Sequence, residues 1–139
     1  MTLSIRNQIA GTVTSVTAGE AMASVKVRLE GGQDITAAIT ADAAKELGLA
    51  EGSAVTALVK ATEVSLATAA VSGVSIRNQI PGTVVDVASG PAMASVKVDV
   101  AGGGLTAAIT ADAAKDLGLV SGSSVVALIK ATEISLSAA

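Results

Sequence analysis

The sequence predicts a mostly β protein built as two tandem, five-stranded small barrels, each carrying one short helix. Three observations predict it: a near-identical internal repeat, apolar residues that alternate with period two, and a single capped helical stretch in each copy. Ser4 to Gly32 aligns with Ser75 to Gly103 at 20 of 29 positions. After a one-residue deletion, Ile35 to Leu66 aligns with Leu105 to Leu136 at 24 of 32. The expected organisation is a first module over 1–68, a linker over 69–74 rich in small residues, and a second module over 75–139.

Within the first copy, Ile9 to Val16 alternates with an interruption at Gly11. Met22 to Leu29 alternates cleanly, placing Val25, Val27 and Leu29 on one face and Ser24, Lys26 and Arg28 on the other, which is the pattern of a half-buried strand. Gly31-Gly32 turns the chain into a third short strand, Ile35 to Thr40. Thr40 then starts a two-turn helix as its N-cap, with Asp42 in the first turn and Gly48 as the stop. After a turn at Gly52, Ala54 to Lys60 and Glu63 to Leu66 read as one long or broken strand. Five strands with a helix before the last part fit a closed barrel of the oligonucleotide/oligosaccharide-binding type.

Composition narrows the chemistry. Half of the 139 residues are apolar, yet Phe, Tyr and Trp are absent, so the core is left to Val, Ile, Leu, Ala and Met. A module of roughly 65 residues has a poor surface-to-volume ratio and ordinarily leans on disulfides, a metal or a partner. With no Cys and no His, a partner is what remains. The same absences remove zinc fingers, thiol nucleophiles, Ser-His-Asp triads and imidazole bases, and no carboxylate cluster suits a metal cation. Asp42 and Glu46 lie four apart on one helical face, but Lys45 beside them marks an ordinary solvated surface, so no enzyme and no catalytic cofactor is expected.

A net charge of −3 and a pI near 4.8 argue against a nucleic-acid or membrane-surface face. No secretory signal opens the sequence, and charged residues or Gly interrupt every apolar stretch short of the ~20 residues a membrane span needs. A cytoplasmic protein is expected.

Three places combine hydrogen-bond donors. Ser4-Ile5-Arg6-Asn7-Gln8, repeated at Ser75 to Gln79, has donors at every side chain but Ile and no acid. Such a stretch is ordinarily solvated chain, and a recent duplication preserves many positions without cause. The helix starts at Thr40 and Thr110 present free N–H groups and the positive dipole end, although Asp42 and Asp112 already supply charge there. Lys60-Ala61-Thr62-Glu63 and Lys130-Ala131-Thr132-Glu133 end the Val- and Leu-rich strand, where a Lys is commonly a solubilising edge charge.

In order and spacing, twice over, the Ser-x-Arg-Asn-Gln opening, Gly11, the Ile-Thr-Ala-Asp helix start, the Leu-Gly-Leu-x-x-Gly turn of Leu47 to Gly52 and the Lys-Ala-Thr-Glu ending resemble the molybdate-binding Mop modules, the molbindins. Two modules in one chain resemble the di-domain molbindins. The resemblance covers both repeats nearly end to end. It implies a homotrimer of the fused pair that binds, stores and buffers molybdate or tungstate. It also implies oxyanion sites between subunits, formed by Ser4, Arg6, Lys60 and Ala61 of one module with Thr40 and its helix start from a neighbour. In the second copy these are Ser75, Arg77, Lys130, Ala131 and Thr110. Two departures shift binding towards backbone N–H groups: Ile5 and Ile76 replace a usual small residue, and Ala43 and Ala113 replace an occasional Ser. The alternatives are a ligand-sensing module of molybdate transport or gene control and, further off, a single-stranded nucleic-acid binder, which would need aromatic rings and a basic groove.

Overall fold

In the computed structural model, which describes residues 2–139, the repeat becomes two five-stranded curled sheets. The first copy supplies β1 (Asn7–Ala18), β2 (Met22–Leu29), β3 (Asp34–Thr40), α1 (Ala41–Glu46), β4 (Ala54–Val59) and β5 (Ser65–Ala67). The second supplies β6 (Asn78–Ser89), β7 (Met93–Val100), β8 (Gly103–Thr110), α2 (Ala111–Asp116), β9 (Ser124–Ile129) and β10 (Ser135–Ala138). All pairings are antiparallel, which suits sheets with one face buried.

The alternation expected of Met22–Leu29 is met: Ala23, Val25, Val27 and Leu29 are buried while Lys26 and Arg28 face water. The helix obeys its signals too, with the Ala43 N–H donating to Thr40 Oγ1 at 3.0 Å. β1 alternates up to Val13, then the β1–β2 register shifts between Val13 and Ser15, so Thr14 is the extra residue of a bulge. Its hydroxyl donates to the Lys26 carbonyl at 3.2 Å. In the second copy the equivalent Val85 has no such bond to offer and stands exposed.

Gly11 interrupts the apolar pattern for a packing reason. It pairs with Leu29, and a Cβ at this position would lie 2.7 Å from Val27 Cγ1 and 2.9 Å from the Arg28 carbonyl oxygen. Gly82 meets the same crowding against Val98 and Asp99. Gly11→Val is therefore expected to destabilise the protein by about 1–3 kcal/mol through overpacking. The urea midpoint checks this; an unchanged midpoint would mean that β1 can move away from β2.

Of the long or broken final strand expected, the broken form is found, with different bounds and a different partner. Ala61–Glu63 is a 3-10 turn, so Glu63 is not in a strand, and the turn sends the last strand away from its own module. β5 pairs with β9 of the second copy, Ser65 against Leu128 to Ala67 against Val126. β10 returns to pair with β4 of the first, Ser135 against Leu58 to Ala138 against Val55. The sheets thus run β10-β4-β1-β2-β3 and β5-β9-β6-β7-β8, each completed by the other copy's last strand.

The exchange makes the pair one body. A single apolar cluster extends through both sheets, from Val13, Val25 and Val55 to Val84, Val96 and Val125, and contains no aromatic ring. The β2–β3 and β7–β8 turns meet backbone to backbone at Gly31 and Gly102, where neither residue has room for a Cβ. Shared burial of this kind relieves the poor surface-to-volume ratio of each small module. One surface ion pair distinguishes the copies. Arg28 Nε lies 2.6 Å from Asp34 Oδ1 across the β2–β3 ladder, where the second copy has Asp99 opposite Gly104. The hydrogen bond from Arg28 holds the Asp34 carboxyl below the usual carboxylate range. Whatever stability this exposed pair adds is present at neutral pH and fades as the pH falls through that lowered pKa.

Candidate functional site

The β1–β4 ladder ends on the rung Asn7 opposite Val59. The next residues on the two strands are Arg6 and Lys60, so two cations from distant parts of the chain emerge side by side at one end of the sheet. The β6–β9 ladder ends identically on Asn78 opposite Ile129, with Arg77 and Lys130 beyond. All four basic residues are exposed, as are Ser4 and Ser75. Lys60 and Lys130 precede 3-10 turns that begin at Ala61 and Ala131, and the first N–H groups of such a turn have no partner within it. Each end therefore carries a guanidinium, an ammonium and backbone donors, with a Ser hydroxyl two residues before the Arg. Arg6 is at present folded onto its own chain, with Nη2 donating to the Leu3 carbonyl at 2.8 Å and Nε to the Ser4 carbonyl at 3.3 Å.

Thr40 and Thr110 lie elsewhere. Thr40 pairs with Met22 at the opposite end of the module from Arg6 and Lys60. β1 has 12 residues, and at ~3.3 Å per residue the two ends of the sheet are separated by roughly 35 Å along the strand. One chain thus brings Arg6 together with Lys60 and Ala61, and Arg77 with Lys130 and Ala131, but brings neither set to the Thr of its own module.

The helix starts also offer fewer N–H groups than their position suggests. Ala41 N–H donates to the Ala21 carbonyl at 2.8 Å, and Ala43 N–H is taken by Thr40. The second copy repeats both bonds at Ala111 and Ala113. The Asp42 N–H and the Thr40 hydroxyl hydrogen are not used by these bonds. Beside the helices run open grooves, about 450 Å³ next to α1 and about 590 Å³ next to α2. Met22 and Met93, each 48 % exposed, pair with Thr40 and Thr110 at these same ends.

Among the described residues, no three His, Cys, Asp or Glu side chains gather closely enough to hold a metal ion. No helix is long and apolar enough to cross a membrane. The donor-rich composition of the Arg–Lys ends suits a small anion that accepts hydrogen bonds and offers none.

Sequence reasoning missed Asn7 and Asn78. They are the only buried polar side chains among the described residues, each 3 % exposed, although they sit inside a pentapeptide that reads as solvated. Parity was the available signal: Asn7 shares it with Ile9 and Val13, which face inward.

The TOBE domain profile matches residues 3–66 and again 74–136. The chain is 44% identical over 135 residues to the molybdenum-pterin-binding protein MopB of Rhodobacter capsulatus, which covers 96% of this chain and 50% of that protein. It is 38% identical over 137 residues to the molybdenum transport protein ModE of Azotobacter vinelandii, covering 98% of this chain and 51% of that one. The chain therefore spans about half the length of these relatives. A crystal structure of the cytoplasmic molybdate-binding protein ModG with molybdate bound superposes over 100% of both chains, with a TM-score of 0.96 at 38% identity.

Proposed function

Because the chain belongs to the TOBE domain family, carrying that domain twice, we propose that it binds molybdate or tungstate in the cytoplasm and stores and buffers the oxyanion rather than catalysing a reaction. The observation that carries this reading is the repeated end at which Arg6, Lys60 and Ala61, and again Arg77, Lys130 and Ala131, emerge together without a carboxylate acceptor on the same rung. Likeness to molybdate-bound ModG over the whole chain supports it.

The chemistry of the guest follows from the donors. A fully deprotonated tetrahedral dianion accepts hydrogen bonds only, so a pocket of guanidinium, ammonium, hydroxyl and backbone N–H groups matches it. Phosphate near neutral pH is partly protonated and needs an acceptor as well, which only the hydroxyls of such a site could supply, so it fits less well. Sulfate has the right charge and must be rejected by size. A net charge of −3 does not oppose binding, since screening over about 8 Å leaves the local donors dominant.

The sites take Ser4, Arg6, Lys60 and Ala61, or Ser75, Arg77, Lys130 and Ala131, from one chain, with Thr40 or Thr110 and the following N–H groups from a neighbour. Separation of each Thr from the cations of its own module supports a partner. So do the exposed Met22 and Met93 at the helix ends, apolar surface that a neighbour in a homotrimer would cover. The duplicated units are 1–68 and 75–139, with 69–74 between them.

A second reading, the ligand-sensing half of a longer transport or gene-control protein, is favoured by the match to half of ModE and keeps the same anion chemistry. A single-stranded nucleic-acid binder is disfavoured by the complete lack of aromatic residues and the acidic balance.

Calorimetric titration with molybdate, tungstate, sulfate, phosphate and single-stranded DNA tests the proposal. Heat is expected with the first two alone; heat with DNA only would sink it. Sedimentation should give about three times the 13.4 kDa chain mass, and a lone 13.4 kDa species at micromolar concentration would contradict the trimer.

A further inference from the structure

We infer that Asn7 and Asn78 are positioning residues for oxyanion binding, each locking the Arg–Lys end of its own module onto an edge strand of the other. The inference rests on the proposed anion sites and adds two residues that do not touch the anion. Asn7 Nδ2 donates to the Thr106 carbonyl at 2.9 Å, and Thr106 N–H donates to Asn7 Oδ1 at 2.7 Å. Asn78 does the same with Thr36, at 2.9 and 2.8 Å. One N–H and the oxygen of a side-chain amide are spaced like the donor and acceptor of a peptide group, so each Asn acts as one more rung on the outer edge of β8 or β3.

Consider what those rungs hold. Asn7 is the last rung of the β1–β4 ladder and is preceded by Arg6. Strand ends ordinarily fray, and two exposed cations on a fraying end would not keep a fixed separation. An oxyanion cradle needs its donors placed to within ~0.5 Å. Fixing the last rung from within the buried interface supplies that placement without using any donor the anion needs.

Asn78 makes the link more direct. Its Nδ2 also donates to the Ile129 carbonyl at 3.1 Å. That carbonyl belongs to the peptide group whose N–H is that of Lys130, so the amide of Asn78 sets the plane of the peptide leading into the Lys130-Ala131 donors. One buried side chain thereby joins the residue after Arg77, the peptide before Lys130 and the β3 edge of the other module.

The test uses the full chain. In the unsubstituted protein, molybdate is expected to slow amide hydrogen exchange at Thr36 and Thr106, the two N–H groups held by the Asn side chains. In Asn7→Ala, the sites built on Arg6 and Lys60 should weaken at least tenfold while those built on Arg77 and Lys130 keep their affinity; Asn78→Ala should do the reverse. Val25→Ala, a core truncation away from both ends, serves as the control: it lowers the melting temperature without such site selectivity. Exchange at Thr36 and Thr106 that is indifferent to molybdate, or Asn variants that melt lower yet bind like the parent, would overturn the inference. The exchange measurement decides the matter even where an Asn variant does not fold. If the unsubstituted protein binds no molybdate, the proposed function itself fails; if it binds and the Asn variants bind equally, only the positioning role fails.

Discussion

Replacing Arg6 and Arg77 together by alanine is expected to weaken molybdate binding by about a hundredfold, and to move the melting temperature little. Removing one partner of a desolvated, hydrogen-bonded charge pair typically costs ~2–5 kcal/mol, of which about 2.7 kcal/mol corresponds to two decades in affinity. The lower part of that range applies because Arg6 must first release the Leu3 and Ser4 carbonyls it now holds, so part of its gain on binding the anion is offset. Stability should be spared because both guanidinium groups are exposed. Lysine at the same positions separates charge from geometry: it keeps the cation but loses the planar fork, so an intermediate affinity is expected. Calorimetry on the three proteins reads the difference directly. Full affinity in the alanine protein would show that Arg6 and Arg77 face water in the complex and that the site lies elsewhere.

Local chemistry was legible in the sequence and long-range geometry was not. The clean alternation of Met22–Leu29 reports a one-sided burial that the folded sheet reproduces, because period-two patterning is a property of the strand alone. The Thr40 cap and the stop at Gly48, with its φ of +62°, are likewise local. The destination of the last strand is different. Ser65-Leu66-Ala67 and Ser135-Leu136-Ser137 are nearly the same tripeptide, and β4 and β9 offer nearly the same edge. Either strand would satisfy either edge, so composition carries no preference between staying home and crossing over. The 3-10 turns at Ala61–Glu63 and Ala131–Glu133 set the direction, and they are formed by an Ala-Thr-Glu sequence with no turn signature of its own. The candidate site follows the same division. Each donor motif could be found, but that Arg6 stands next to Lys60 rather than next to Thr40 depends on the β1–β4 register.

Deleting Ser135–Ala139 is expected to damage the first copy, although the deleted residues belong to the second. β10 covers β4 along four rungs, from Ser135 opposite Leu58 to Ala138 opposite Val55, and Ala139 N–H reaches the Ala54 carbonyl at 3.2 Å. Leu136, half-buried, packs against the common core. Each lost ladder bond costs ~0.5–1.5 kcal/mol and a Leu side chain ~1.5–3 kcal/mol when fully buried, so a loss of a few kcal/mol is expected, a large part of a small protein's total. β4 would become a bare edge open to water or to another chain, a known route to aggregation. Ile134 remains in place, so the 3-10 turn that lies along β3 is retained and the effect is confined to the edge. Hydrogen exchange then distinguishes the two possible connections. With exchanged strands, amides of 54–59 lose protection and those of 124–129 keep it, and the Arg6–Lys60 end loses anion affinity before the Arg77–Lys130 end does. If instead 124–129 became unprotected, each module would have kept its own last strand, and the shared body from which the buried Asn7 and Asn78 derive their partners would not exist.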